Sequence, residues 1–267
     1  MKNKGRIFLN FIVAAAFTVI VVVGFFSIFS VADINVEVTA GEKGETSARA
    51  VKADLEKFRG KSLLFLDMKE VAAVLAAYPY LEVERLEKSY PNGIVATLRE
   101  RREVFLFENG EDKYILDDRG VVLAKNPSEE ENLIGLFISD VTGEPIFATR
   151  AEAGLVLEAE DGGLLSLVYS MSEIAAYTDN ISAIEVKYGA VGGEVVMDEV
   201  VFHMRTGVEI WVYDALDAGA EKMRTAMEVF EQTSDYNKGM NYIVVNRTEG
   251  EIVATYTRDD PMSADKQ

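Results

Sequence analysis

Residues 62–99 run SLLFLDMKEVAAVLAAYPYLEVERLEKSYPNGIVATLR. Ser62 to Leu66 is apolar and stops at Asp67, which with Glu70 three positions on makes an N-cap and capping-box pair opening a helix. The stripe of that helix is Val71, Val74, Leu75 and Tyr78, and Pro79 closes it. Two strands follow, Leu81 to Ser89 and Ile94 to Arg99. They are joined by Tyr90-Pro91-Asn92-Gly93, where Asn-Gly is the strongest short-range hairpin signal.

Upstream, Ala48 to Arg59 places Val51, Leu55 and Phe58 on one helical face, and Gly60 stands where that helix stops. A polar, glycine-bearing loop is expected from Ala40 to Ser47, preceded by a strand at Ile34 to Val38 that alternates strictly. The first unit therefore reads β-α-α-β-β, ending near Arg102, with two helices able to cover one face of a three-stranded sheet.

Before this unit lies Ile7 to Ala32, which contains no Asp, Glu, Lys or Arg. About 20 apolar residues suffice to cross the hydrocarbon core, so the run spans it with some tilt. Lys2, Lys4 and Arg6 precede the run, while Asp33, Glu37 and Glu42 follow it, which assigns the short basic end to the cytoplasm. Ser30-Val31-Ala32 also offers the small residues a signal peptidase accepts. A signal peptide has an apolar core of only about 7 to 15 residues, so a retained anchor is the favoured reading.

Downstream the texture turns to short strands: Val104 to Phe107, Tyr114 to Leu116, Val121 to Ala124, Ile134 to Ile138 and Gly154 to Glu158. A helix is expected over Leu164 to Tyr177. Strands follow at Ala183 to Tyr188, Val195 to Met197, Val200 to Arg205 and Val208 to Tyr213, with a turn at Thr206-Gly207. A second helix, Asp217 to Gln232, carries Ala220, Met223, Met227 and Phe230 on one side, a stripe that signals core packing. Tyr242 to Asn246, a turn at Glu249-Gly250 and a last strand, Glu251 to Thr257, complete the unit before a polar tail.

Composition narrows the function. The net charge is −18, and the three basic residues ahead of the apolar run leave −21 on the remainder, a surface that repels polyphosphates. Nucleic acid is thus an unsuitable partner. The absence of cysteine removes disulfides, thiol nucleophiles and cysteine metal sites. The roughly 235 residues beyond the membrane must rest on ordinary apolar cores, which is enough chain for one large or two smaller domains.

Catalytic constellations are not evident. His203, the only histidine, falls inside an apparent strand with no nucleophile-elbow sequence anywhere, and reads as structural. With one histidine and no cysteine, a zinc site is unsupported, and no calcium loop is present. Gly41-Glu42-Lys43-Gly44-Glu45-Thr46 lacks the Gly-Lys-Ser/Thr ending of a phosphate loop, and Gly189 to Gly193 is followed by no helix. Adjacent Asp117 and Asp118 point to opposite faces of an extended chain and fit a turn with Arg119-Gly120 better than a catalytic pair. No catalytic, cofactor-binding or metal residue and no small-molecule substrate are assigned, which leaves binding or scaffolding as the expected role.

The order of parts resembles the bacterial cell-division proteins of the FtsQ/DivIB family. The stretches that carry the likeness are Gly60-Lys61-Ser62-Leu63-Leu64-Phe65-Leu66-Asp67, Tyr78-Pro79-Tyr80 with Val83-Glu84, Tyr90-Pro91-Asn92 with Ile94, and Leu98-Arg99-Glu100-Arg101. Tyr114-Ile115-Leu116-Asp117, Gly120-Val121-Val122-Leu123 and Tyr242-Ile243-Val244-Val245 with Gly250 extend it. The resemblance implies an α+β protein with a cytoplasmic tail (1–6), one transmembrane helix (7–32) and a polypeptide-transport-associated, or POTRA, domain (33–102). A mostly antiparallel β domain with one or two packed helices (103–257) and a polar tail (258–267) follow.

It further implies a non-enzymatic divisome protein at the division septum, binding FtsB/DivIC-like and FtsL-like bitopic partners and helping to recruit or regulate septal peptidoglycan synthesis. The last strand, followed only by the tail, is a candidate sheet edge for a partner strand, with Arg247, Glu249, Gly250, Glu251, Ile252, Val253, Ala254, Thr255 and Tyr256 as its expected contact residues. Two alternatives stand beside this reading. One is an envelope POTRA protein in secretion or transport, which would associate with a translocation channel; the other is an anchored cell-wall enzyme with an unrecognised site.

Overall fold

A computed structural model describes residues 2–39, 42–128, 132–140, 150–158, 180–191, 194–232 and 241–261. The fold is α+β, and the chain divides into two compact units, Met1–Arg101 and Arg102–Gln267.

The first unit begins with helix α1 (Lys2–Ile28), within which Phe11–Ile28 is long and apolar enough to cross a membrane. The helix stops at Ile28, short of the expected end at Ala32. Val31 is only 1% exposed and belongs to the core of the following module, while Phe29 and Ser30 are half-buried and Ala32 is exposed, so the apolar character of Val31 serves protein packing, not lipid.

Strand β1 (Asp33–Thr39) leads almost at once into helix α2 (Glu42–Leu55) and a 3-10 turn at Glu56–Phe58. The polar segment expected to be a loop is thus mostly the first turns of α2. The stripe at Val51 and Leu55 lies in the later turns of the helix and packs in the core. Gly60, at φ 80°, ends the turn in the left-handed region.

Helix α3 (Met68–Leu75) starts at Asp67, whose carboxylate accepts a hydrogen bond from the Lys69 amide at 2.9 Å. The reciprocal half of the capping box is replaced: Glu70 pairs with Lys61 at 3.7 Å. Val71, Val74 and Leu75 are buried as the stripe requires.

Strands β2 (Leu81–Ser89) and β3 (Gly93–Glu100) form the hairpin. Gly93 is the first residue of β3 and not a left-handed turn residue. Its role is steric, since a Cβ there would lie 3.1 Å from the Ser89 carbonyl oxygen. The sheet order is β1-β3-β2, with β1 parallel to β3 and β2 antiparallel to it. Ile94, Ala96 and Leu98 of the central strand face Val51, Leu55, Phe58, Val71 and Leu75 in one apolar core.

The second unit is a nine-stranded sheet in the order β12-β11-β10-β9-β8-β7-β4-β5-β6. Its strands are β4 (Phe105–Asn109), β5 (Asp112–Leu116), β6 (Val122–Lys125), β7 (Ile134–Asp140), β8 (Ile181–Val191), β9 (Glu194–Met204), β10 (Glu209–Tyr213), β11 (Tyr242–Thr248) and β12 (Glu251–Thr257). Five neighbouring pairs are antiparallel, while β4–β7, β7–β8 and β10–β11 are parallel.

Three strand readings change in the structure. Val195 to Met197 and Val200 to Arg205 fuse into the single strand β9. Gly154 to Glu158 forms only isolated bridges, Val156 to Val121 and Glu158 to Arg150. The helix expected over Leu164 to Tyr177 lies outside the described residues.

Between the parallel strands β10 and β11 the chain crosses through helix α4 (Gly219–Gln232), as parallel pairing demands of a connection. The helix packs Met223, Ala226 and Met227 against Ile210, Val212, Ile243 and Val245. Lys222 is fully buried beside this stripe. Its ammonium donates to the carbonyl oxygens of Tyr213 and Asp214, both at 2.9 Å, and so ties the start of α4 to the end of β10.

Candidate partner-binding edge

Strand β12 lies at the outer end of the nine-stranded sheet, and among the described residues its only strand neighbour is β11. Its local geometry follows from the turn that precedes it. Glu249 and Gly250 both have positive φ, 53° and 89°, the signature of a two-residue type I′ hairpin loop. Such a loop makes Thr248 and Glu251 a hydrogen-bonded pair, and the alternation of an antiparallel ladder sets the rest.

Asn246–Val253, Val244–Thr255 and Tyr242–Thr257 are then the other hydrogen-bonded pairs. The N–H and C=O groups of Val253 are consumed within the hairpin. Those of Ile252, Ala254 and Tyr256 point away from β11, along the edge.

Side chains follow the opposite division. Ile252, Ala254 and Tyr256 are partly buried and pack against the core beneath α4. Glu251, Val253 and Thr255 are exposed, Val253 at 40%. The edge therefore presents the main chain of three residues whose side chains are held in place by the core. A neighbouring strand would meet fixed donors and acceptors without having to order them first.

The remaining sequence-expected contact residues fall around this ladder. Glu249 and Gly250 form the turn. Arg247, on β11, lies 3.5 Å from the Asp217 carboxylate, so its guanidinium already has an intramolecular partner. Past the strand, the Thr257 hydroxyl accepts from the Asp259 amide at 3.1 Å, turning the chain out of the ladder. Burial, then the Asp260 and Glu209 carboxylates, push the Tyr242 phenol up from its ordinary range.

Asp117 and His203, which the sequence reading assigned no catalytic role, lie at a turn and on strand β9. Asp117 is buried, and its carboxylate accepts from the amides of Arg119 and Val121 at 2.9 and 2.8 Å, closing the turn around Gly120 (φ 75°). His203, on β9, sits 3.8 Å from the Glu185 carboxylate and 3.6 Å from that of Glu209. Interaction with His203, and secondarily with Lys187 and Ser139, holds the Glu185 carboxyl below the usual glutamate range against the opposing effect of burial.

Sequence reading missed two features of this unit. The buried Lys222 is one, because a lysine flanking a Met stripe carries no mark of burial. The outward main chain of Ala254 is the other: it depends on pairing register, which the Glu249-Gly250 turn alone could have supplied.

No family model matches the chain. A curated protein, the "Cell division protein DivIB" of Clostridium acetobutylicum, is 23% identical over 158 residues, covering 59% of this chain. The match spans 59% of that relative's own length, less than two thirds of it. This similarity supports the FtsQ/DivIB resemblance read from the sequence motifs.

Proposed function

We propose that this chain is a membrane-anchored, non-enzymatic cell-division protein that captures a partner strand on the edge of β12. Its partners are FtsB/DivIC-like and FtsL-like bitopic proteins, and its role is to help recruit or regulate septal peptidoglycan synthesis at the division site. The similarity to a relative named as a division protein supports the process. The observation that carries the mode of action is the pre-ordered edge, with Ile252, Ala254 and Tyr256 offering main-chain groups while their side chains pack on the core.

The anchor is α1, with Lys2, Lys4 and Arg6 on the cytoplasmic side and both folded units outside. Val31 supports a retained helix over a cleaved leader. Removal of the chain up to Ala32 would take a fully packed residue out of the first unit's core.

The test is proline at Ala254, where the N–H faces outward and the hairpin's own ladder does not need it. Loss of one or two main-chain hydrogen bonds to a partner, about 1–3 kcal/mol, weakens binding by roughly fivefold to 150-fold. Partners recovered in gentle detergent with the full chain should be small bitopic division proteins, and Ala254→Pro should release them while thermal unfolding changes little. A variant that retains them at unchanged affinity, or a wild-type chain that brings down a translocation channel instead, would overturn this reading.

A further inference from the structure

The end of α1 is tied to the module that follows by main-chain hydrogen bonds. The Leu63 amide donates to the Phe29 carbonyl at 2.6 Å, Val31 to Lys61 at 2.9 Å, Gly60 to Val31 at 2.8 Å, and Ala32 to Asn92 at 2.9 Å. Ser30 and Ser62 form a β-bridge, and the Arg59 guanidinium donates to the Ala32 carbonyl. No free linker separates the helix from β1, so two loops of the module, 60–66 and 89–93, are held at the mouth of the membrane span.

Each of these loops carries an exposed aromatic ring. Phe65 is 77% exposed, more than any apolar residue described on α1 itself, and Tyr90 is 60% exposed. Both rings lie at the end of the helix: Phe65 is 6.1 Å from Phe26, and Tyr90 is 6.4 Å from Phe29, the residue just past it, centroid to centroid. Lys88 completes the set, with its ammonium 3.4 Å from the Leu64 carbonyl.

Depth decides what these rings meet. Phe26 is two residues inside the end of the apolar span, about 3 Å along the helix axis. The polar zone on each side of the hydrocarbon is about 5–7 Å thick, and the loops that carry the two rings are hydrogen-bonded to residues 29–32, directly past the end of the span, which sets them at the level of that zone. Tyrosine, phenylalanine and a lysine whose stem reaches upward are the side chains that this zone favours.

We propose that Phe65, Tyr90 and Lys88 form a second, interfacial membrane contact, in which the module seats its two loops among the lipid headgroups and upper acyl chains around α1. This rests on α1 crossing the membrane. The contact fixes the orientation of the first unit relative to the bilayer, a constraint that a single helix does not impose.

The experiment places tryptophan at Phe65, and in a second variant at Tyr90, in the full chain reconstituted into phosphatidylcholine–phosphatidylglycerol vesicles. Flotation of the chain with the vesicles tests the anchor separately. Bromine on the upper acyl chain should quench the added fluorescence about twofold, more than bromine near the bilayer centre, because the indole sits in the interface. The parent, whose only tryptophan is the buried Trp211, should be unaffected. A chain that floats while both added indoles emit as water-exposed and unquenched overturns the contact but not the anchor. Unquenched, blue-shifted emission would assign the rings to a second protein chain and overturn it equally. A chain that fails to float would sink the anchor and this contact together.

Discussion

The two units offer their free surfaces in opposite currencies of contact. In the first, the segment between α1 and β1 is tied down by main-chain hydrogen bonds, and beside it two aromatic side chains, Phe65 and Tyr90, stay exposed. In the second, the side chains of Ile252, Ala254 and Tyr256 are engaged with the core and what remains is main chain along β12. Apolar rings suit a fluid, non-directional neighbour, because burial of apolar area needs no fixed geometry. Directional N–H and C=O groups suit another ordered strand.

The contrast can be broken from its structural side first. Val31→Asp places an unpaired carboxylate in the first unit's core and should cost about 4 kcal/mol or more, enough to unfold that module. Hydrogen exchange resolved by peptide should then show loss of protection across β1–β3 while β8–β11 stay protected. Equal loss in both would mean that the two cores do not stand separately.

A smaller effect is expected at Lys222 in the second unit. Lys222→Ala, which removes two hydrogen bonds to carbonyls and leaves a cavity, should destabilise by about 3 kcal/mol, and Lys222→Met, which keeps the volume, by about 1–2 kcal/mol. Urea titration of the two variants measures the difference.

Val253→Pro sharpens the comparison at the edge itself. It removes a hydrogen bond inside the hairpin, and should lower stability by about 1–2 kcal/mol more than Ala254→Pro does. If the two prolines were equally tolerated, the register of the outward groups would be wrong.

The smallest effect is the pH dependence at Glu185. Its carboxyl is held low in the folded chain, so it contributes stability above the usual glutamate range and loses that contribution as pH falls through its folded value. Glu185→Gln should therefore cost roughly 0.5 kcal/mol or less near neutrality, given the partial exposure, and nothing in strong acid. Thermal unfolding across pH reads the convergence of the two curves.

Where local chemistry and tertiary packing agree, the sequence was legible. Asp67 caps α3 as its position requires, the Val71–Val74–Leu75 stripe is buried, and Glu249-Gly250 makes the hairpin that exposes β12. Legibility failed where two environments ask for the same residue type. Val31 is apolar for a protein core, yet in sequence it continues a lipid-facing run. Residues 42–47 are polar, with no apolar period to mark them as helical, yet they form the first turns of α2.

For the candidate edge, residue identities alone located the strand but not its useful groups. Among the expected contacts, Arg247 sets its charge against Asp217 within the unit, a pairing that no local pattern announces. Which residue a proline would probe depends on the ladder, in which the Val253 N–H pairs with β11 and that of Ala254 does not.

The sequence by itself determined the apolar span, the β-α-α-β-β order, the acidic exterior and the place of the last hairpin. These follow from composition, period and turn chemistry, which act over a few residues. Only the tertiary structure decided where α1 ends, that Phe65 and Tyr90 gather at its mouth, and which side of β12 faces outward. Those depend on contacts between residues far apart in the chain, such as Val31 with Lys61 and Val253 with Asn246, and no local pattern encodes such pairings.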